Sequence, residues 1–135
     1  MDKLRKSTFQ HVEAELYCYH ETKKEMERIR NDIIFAGKIQ QEGGRSGISN
    51  PTAAVATRLT TDKRLQTLEE IVDAIEGVVN VLDEQRFKVI RLRYWTKPQL
   101  LTWEGVARQI PTHRTTVIRW RDEVVYAIAE RIGWR

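Results

Sequence analysis

The sequence predicts an all-α fold, a long N-terminal helical hairpin followed by a C-terminal helix-turn-helix module, on three observations. Apolar residues recur at three- and four-residue steps through most of the chain. Proline and glycine are scarce, 3 and 7 in 135 residues, beside 41% hydrophobic and 31% charged residues. The stretch richest in glycine, AGKIQQEGGRSGISNP, lies between two helical patterns rather than inside one. A chain of this length buries one respectable core, so a single domain with an appendage is expected.

The first element is read as one helix over about 3–36. Phe9, Val12, Leu16, Tyr19, Met26 and Ile33 form its apolar seam, with Lys23 and Arg30 in the remaining seam places and a charged face of Glu13, Glu15, Glu21, Lys24, Glu25, Glu27 and Arg28. A linker is expected at about 37–50. Its GGRSG lacks the Gly-Lys-Ser/Thr ending of a phosphate-binding loop and follows no strand pattern. Asn50 offers a cap and Pro51 suits the first position of the next helix.

In that second helical segment Leu65, Leu68, Val72, Ile75, Val79 and Leu82 step by three and four, and Ile71 and Val78 widen the stripe. The seam is met by the first helix folding back antiparallel, by the same helix of a second subunit, or by both. A homodimer therefore stays open beside the hairpin. The predicted division is a hairpin or oligomerisation region over 1–82 and a helix-turn-helix domain over 83–135.

Asp83 is placed to cap a helix over 84–94, with Phe87, Ile90 and Tyr94 on one face and Arg86, Lys88, Arg91 and Arg93 on the others. After a loop holding Lys97 and Pro98, Thr102 caps a short helix, TWEGVARQI. Pro111 biases Ile110 away from helical geometry and so ends it. A last helix over about 114–132 follows, its cap falling to Thr112 or His113.

Charge separates the two halves. Residues 84–135 hold 11 Lys and Arg against 5 Asp and Glu, a balance of +6, and residues 1–83 hold 12 against 14, a balance of −2, which sum to the +4 of the whole chain. A basic module on a near-neutral helical appendage is what a phosphate-backbone binder presents. The stretch WEGVARQIPTHRTTVIRWRD sharpens this. In a helix-turn-helix the first helix needs a small residue where the second crosses it. Ala107 is that residue, and Val106, Ile110, Val117 and Trp120 complete the core. His113, Arg114, Thr115, Thr116, Ile118, Arg119 and Arg121 are then the candidate DNA-contacting residues, with Arg86, Lys88, Arg91, Arg93, Lys97 and Arg108 as weaker backbone contacts.

No catalytic or metal constellation emerges. His11, His20 and His113 are scattered, and Cys18 has no zinc-ligand neighbours at a usable spacing. Neither an enzyme nor a cofactor is expected. The single cysteine cannot form an intramolecular disulfide, and the start MDKLRKSTFQ carries no apolar run, so a cytoplasmic protein without a membrane segment is expected.

The stretches RFKVIRLRYWTKPQLLTWEGVARQI and IRWRDEVVYAIAERIGW, with EAELYCYHETKKEMERIRNDII, GGRSG and ATRLTTDKRLQTLEEIVDAIE before them, resemble the RinA/ArpU group of phage-encoded transcriptional regulators over nearly the whole chain. The resemblance implies a late-gene activator that binds double-stranded DNA near promoters and acts with bacterial RNA polymerase in the host cytoplasm. It also implies a C-terminal module similar to the sigma-factor region that reads the upstream promoter element. Members of that group often carry serine where this chain has His113, which removes the usual cap. The alternative class is a phage packaging or assembly subunit that uses the same module to tether DNA or to oligomerise.

Overall fold

The computed structural model describes residues 3–42 and 51–135. The fold is all-α, and among the described residues there is no strand. Its helices are α1 (Lys6–Tyr17), α2 (Tyr19–Glu42), α3 (Pro51–Thr61), α4 (Lys63–Val79), α5 (Glu84–Tyr94), α6 (Trp103–Gln109) and α7 (Arg114–Ile132). Among the described residues no helix is long and apolar enough to cross a membrane.

The chain divides into two compact units. One holds 1–19 and 73–135, the other 20–72. The expected boundary at 82/83 is therefore displaced: α1 and the end of α4 belong with the C-terminal helices.

In the 20–72 unit, α2 buries Thr22, Met26, Ile29 and Ile33. Lys23 is exposed and Arg30 is half-buried, so the two charged residues expected in the seam lie beside it, one position off. Before that stripe a break separates α1 from α2. Cys18 leaves the helix with φ −93° and ψ 5°, and the Leu16 carbonyl accepts the Trp95 indole N–H at 2.9 Å. The single helix expected over 3–36 is thus two.

Gly37, read from sequence as linker, is buried inside α2. A Cβ there would stand 2.2 Å from Cγ2 of Val55, so its absence admits α3. The rest of the linker and Asn50 lie outside the described residues, and α3 starts at Pro51 as expected. Asp62 interrupts the second segment, its Oδ1 accepting the Leu65 amide at 2.9 Å to cap α4. Arg30–Glu69 at 2.9 Å and Arg64–Glu25 tie α4 to α2.

Most of the heptad seam is covered within the single chain. Leu65, Ile71, Val72, Ile75, Val78 and Val79 are buried, while Leu68 and Leu82 are half-buried.

In the other unit the caps fall where local chemistry places them. Asp83 Oδ1 accepts the Arg86 amide at 2.8 Å, and Thr102 Oγ1 accepts the Gly105 amide at 3.1 Å. The carboxyl of Asp83 is held below its ordinary value, first by that backbone hydrogen bond and then by the Arg86 guanidinium. At its far end α7 stops on Gly133, whose φ of 90° is a left-handed conformation that suits glycine.

α1 packs on α7, stacking His11 on Trp134 at 4.2 Å and setting Phe9 edge-on to Tyr126 at 6.3 Å. It also meets α5, through Tyr17 against Tyr94 at 4.7 Å. Stacking of Tyr19 on Trp95 at 4.9 Å extends that contact past the break.

Candidate nucleic-acid interface

Helices α5, α6 and α7 enclose one apolar cluster: Val89, Leu92, Val106, Ala107, Ile110, Val117 and Trp120, with Leu101 and Trp103 packed against it. The five residues expected from the α6–α7 pattern are all here. Val89 and Leu92, which join them, were not expected, because Ile90 and Tyr94 supply the more obvious face of α5. That helix is apolar on two sides, and both are buried.

The turn between α6 and α7 works differently from the expectation. Ile110 keeps helical angles, φ −88° and ψ −25°, despite preceding proline. Pro111 stops α6 by lacking an amide hydrogen. The Ala107 carbonyl, which that hydrogen would have served, accepts the Thr112 amide at 2.8 Å instead. His113 then takes the extended cap position with φ −93° and ψ 150°, and its carbonyl accepts the Thr116 and Val117 amides. Thr112 is thus not the cap, and the His113 side chain makes no capping bond. No acidic residue lies in the first turn of α7, and Arg114 opens it. The positive end of this helix is therefore uncompensated and carries an arginine as well, an arrangement suited to an anion.

Along the first turns of α7, His113, Arg114, Thr115 and Arg119 are exposed, and Thr116 and Ile118 are half-buried. Among the described residues, no carboxylate pairs with Arg114 or Arg119, nor with the exposed Arg108 of α6 and Arg91 of α5. Arg114 also edges an open cleft of about 560 Å³, shared with Arg93, Leu100, Thr102 and Glu104.

The remaining expected cations are committed elsewhere. Arg121 is turned inward. It reaches Glu13 of α1 at 3.1 Å and Asp122 at 2.6 Å, and lies over the rings of Phe9 and Trp103 at 5.0 and 4.7 Å. Its assignment as a DNA contact is therefore corrected. Arg86 bonds Asp83 at 2.6 Å, approaches Glu123 at 3.6 Å and covers the Trp120 ring at 4.7 Å. Arg93 donates to the Leu101 carbonyl at 2.9 Å and lies over Trp103 at 4.8 Å, its Nε buried without an acceptor. Lys88 caps the end of α6 by donating to the Gln109 carbonyl at 2.9 Å. Lys97 is exposed and also has an interaction. Arg86, Lys88 and Arg93 are thus parts of the scaffold before they are parts of any surface.

Sequence reasoning missed Glu13, the residue that joins α1 to this scaffold. Its Oε2 accepts both the Tyr94 hydroxyl at 2.6 Å and Arg121 Nη1 at 3.1 Å. Burial, reinforced by that hydrogen bond to a carboxylate, pushes the Tyr94 phenol well above its ordinary value. Burial works against the charge on Arg121, but its hydrogen bonds to Tyr94 and Asp122 and the charge of Glu13 outweigh it and raise its pKa. The available sequence signal was the interleaving of Trp95, Trp103 and Trp120 with arginines, a composition that permits cation–π stacking.

The fold and surface define an all-α protein whose C-terminal helices carry exposed arginines around a core in which other arginines stack on tryptophans. The chain belongs to the family described as "Protein of unknown function (DUF722)", whose model matches residues 10–130. No curated protein and no solved structure matches it. The matched span takes in most of α1 as well as most of α7.

Proposed function

We infer that the protein binds double-stranded DNA through a helix-turn-helix formed by α6 and α7 and regulates transcription. The carrying observation is the sorting of arginines. Those facing inward are bonded and stacked, whereas Arg114 and Arg119 stand exposed on the first turns of α7, without carboxylate partners among the described residues. Helix-turn-helix proteins use the start of the second helix to reach base edges in the major groove. Arg114 and Arg119 fork onto guanine or grip phosphate, and Ile118 offers an apolar contact for a thymine methyl. Arg91 and Arg108 add phosphate contacts.

The resemblance to the RinA/ArpU group supports a narrower reading: a phage or prophage activator of late genes that works with bacterial RNA polymerase in the host cytoplasm. Footprinting on the late-promoter region of the encoding phage or prophage, with Arg114→Ala and Arg119→Ala alongside, tests both levels. Each substitution is expected to weaken specific binding by ~1–3 kcal/mol. Unchanged affinity in both removes the recognition-helix assignment, and a footprint away from promoters removes the activator reading.

A further inference from the structure

The outer face of α2 carries a patch that none of the described residues covers. Ile34 is 40% exposed, Phe35 64% and Ile39 53%. Single exposed apolar side chains are ordinary. Phe35 and Ile39, four residues apart, are neighbours on the helix surface, and Ile34 lies about 100° round the helix from Phe35, on the flank of that pair. The buried side of α2 is a different stripe, Thr22, Met26, Ile29 and Ile33. Most of the heptad seam of α4 is already covered, so α2 offers the clearer surface for a second subunit.

The charges around the patch are arranged about its centre. Asp32 stands three residues before Phe35 and Lys38 three after, and both are exposed. In a two-fold interface, if residue i meets residue j then j also meets i. An antiparallel second α2 with its axis at Phe35 sets each Asp32 opposite Lys38 of the other copy and each Ile39 opposite Asn31. A parallel copy in register would set aspartate on aspartate and lysine on lysine. Asp32 reaches Arg28 at only 3.9 Å, with 71% of its side chain exposed, so it is open to a second cation.

We propose that a second copy of this chain docks antiparallel on the Ile34, Phe35 and Ile39 face of α2, registered by two Asp32–Lys38 pairs. The proposal stands independently of the DNA reading. Three apolar side chains fall short of the roughly 800 Å² per partner of a standard interface. The association is therefore weak and salt-sensitive, with the charged pairs setting register.

Sedimentation equilibrium of the full chain without DNA, over a concentration series, tests it. The native chain is expected to dimerise with rising concentration, and Phe35→Glu to remain monomeric. Asp32→Lys is expected to weaken the dimer at least about tenfold, because two attractive pairs become repulsive. Asp32→Lys combined with Lys38→Asp is expected to restore it, and that restoration belongs to the antiparallel register alone. All five positions of substitution and patch lie on the helix exterior, and far-UV circular dichroism confirms that the variants stay folded. A native chain that is monomeric throughout, a dimer indifferent to Phe35→Glu, or a double reversal that fails to restore association overturns the proposal.

Discussion

Replacing Arg121 by alanine separates a scaffold residue from a DNA contact. Its side chain is 15% exposed and that of its partner Glu13 is 22% exposed. Exposed ion pairs contribute about 0–1 kcal/mol, whereas breaking a buried one costs about 3–5. This pair lies between those limits. Tyr94 still donates to Glu13 at 2.6 Å after the change, so the carboxylate keeps one partner. Against that, Phe9 and Trp103 lose the cation over their rings, each worth roughly 0.5–1 kcal/mol. The expected loss is about 2–3 kcal/mol, intermediate between the two ion-pair regimes. Urea unfolding followed by circular dichroism measures it, with the stability change read from the midpoint at constant m value. Arg121→Lys keeps the charge but loses the planar fork, and is expected to fall between the native chain and Arg121→Ala. A loss below about 0.5 kcal/mol would place Arg121 among ordinary surface substitutions and refute the reasoning.

Other predictions follow from the same geometry. The Tyr94 phenol has a raised pKa in the fold, so its contribution is fully present below its ordinary value of 10.0 and is lost as pH rises beyond it. Alkaline unfolding is therefore expected to be steeper in the native chain than in Tyr94→Phe, and equal slopes would contradict the assignment. For Asp83 the sign is reversed: its lowered pKa gives a contribution present above the ordinary value of 3.8 and lost as pH falls through the folded-state value. Asp83→Ala is expected to lower the urea midpoint at neutral pH, and to lower it less in acid. Gly37→Ala sets a methyl against Val55, a stiff β-branched side chain in a helix, and is expected to destabilise by about 1–2 kcal/mol, with Val55→Ala restoring much of the loss. Gly77→Ala meets only the guanidinium end of Arg131, which can swing away, so thermal unfolding is expected to show little loss or a gain of up to about 1 kcal/mol from helix propensity.

The legible parts of this molecule were those decided by neighbouring residues. Asp83 and Thr102 cap through their own side chains, and Val106, Ala107, Ile110, Val117 and Trp120 reach one core through helical spacing, so local pattern located all seven. What escaped depends on partners far along the chain. The break at Cys18 involves the Trp95 indole, 79 residues from the Leu16 carbonyl it meets. Arg121 and Arg119 are two residues apart and alike in sequence, yet α7 turns the first toward Glu13, 108 residues away, and the second outward. Charge counting placed both in the interface. Gly37 shows the converse, because a glycine in a polar stretch resembles a linker until the residue against it, Val55, is known.

The DNA reading rests on a small set of uncommitted cations, so the salt dependence of binding tests it most directly. Each phosphate contact on duplex DNA contributes about −0.9 to the slope of log affinity against log salt. Arg91, Arg108, Arg114 and Arg119 stand exposed and without carboxylate partners among the described residues of α5, α6 and the first turns of α7, so a slope of about −3 to −4 per chain is expected. Fluorescence anisotropy on a mixed-sequence duplex of about three helical turns reads it. The account predicts that slope in the native chain, a decrease in steepness of about 1 in Arg119→Ala, and little change in Arg86→Ala, whose guanidinium is held by Asp83 and Trp120. A flat salt response, or an equal loss in both variants, would contradict it.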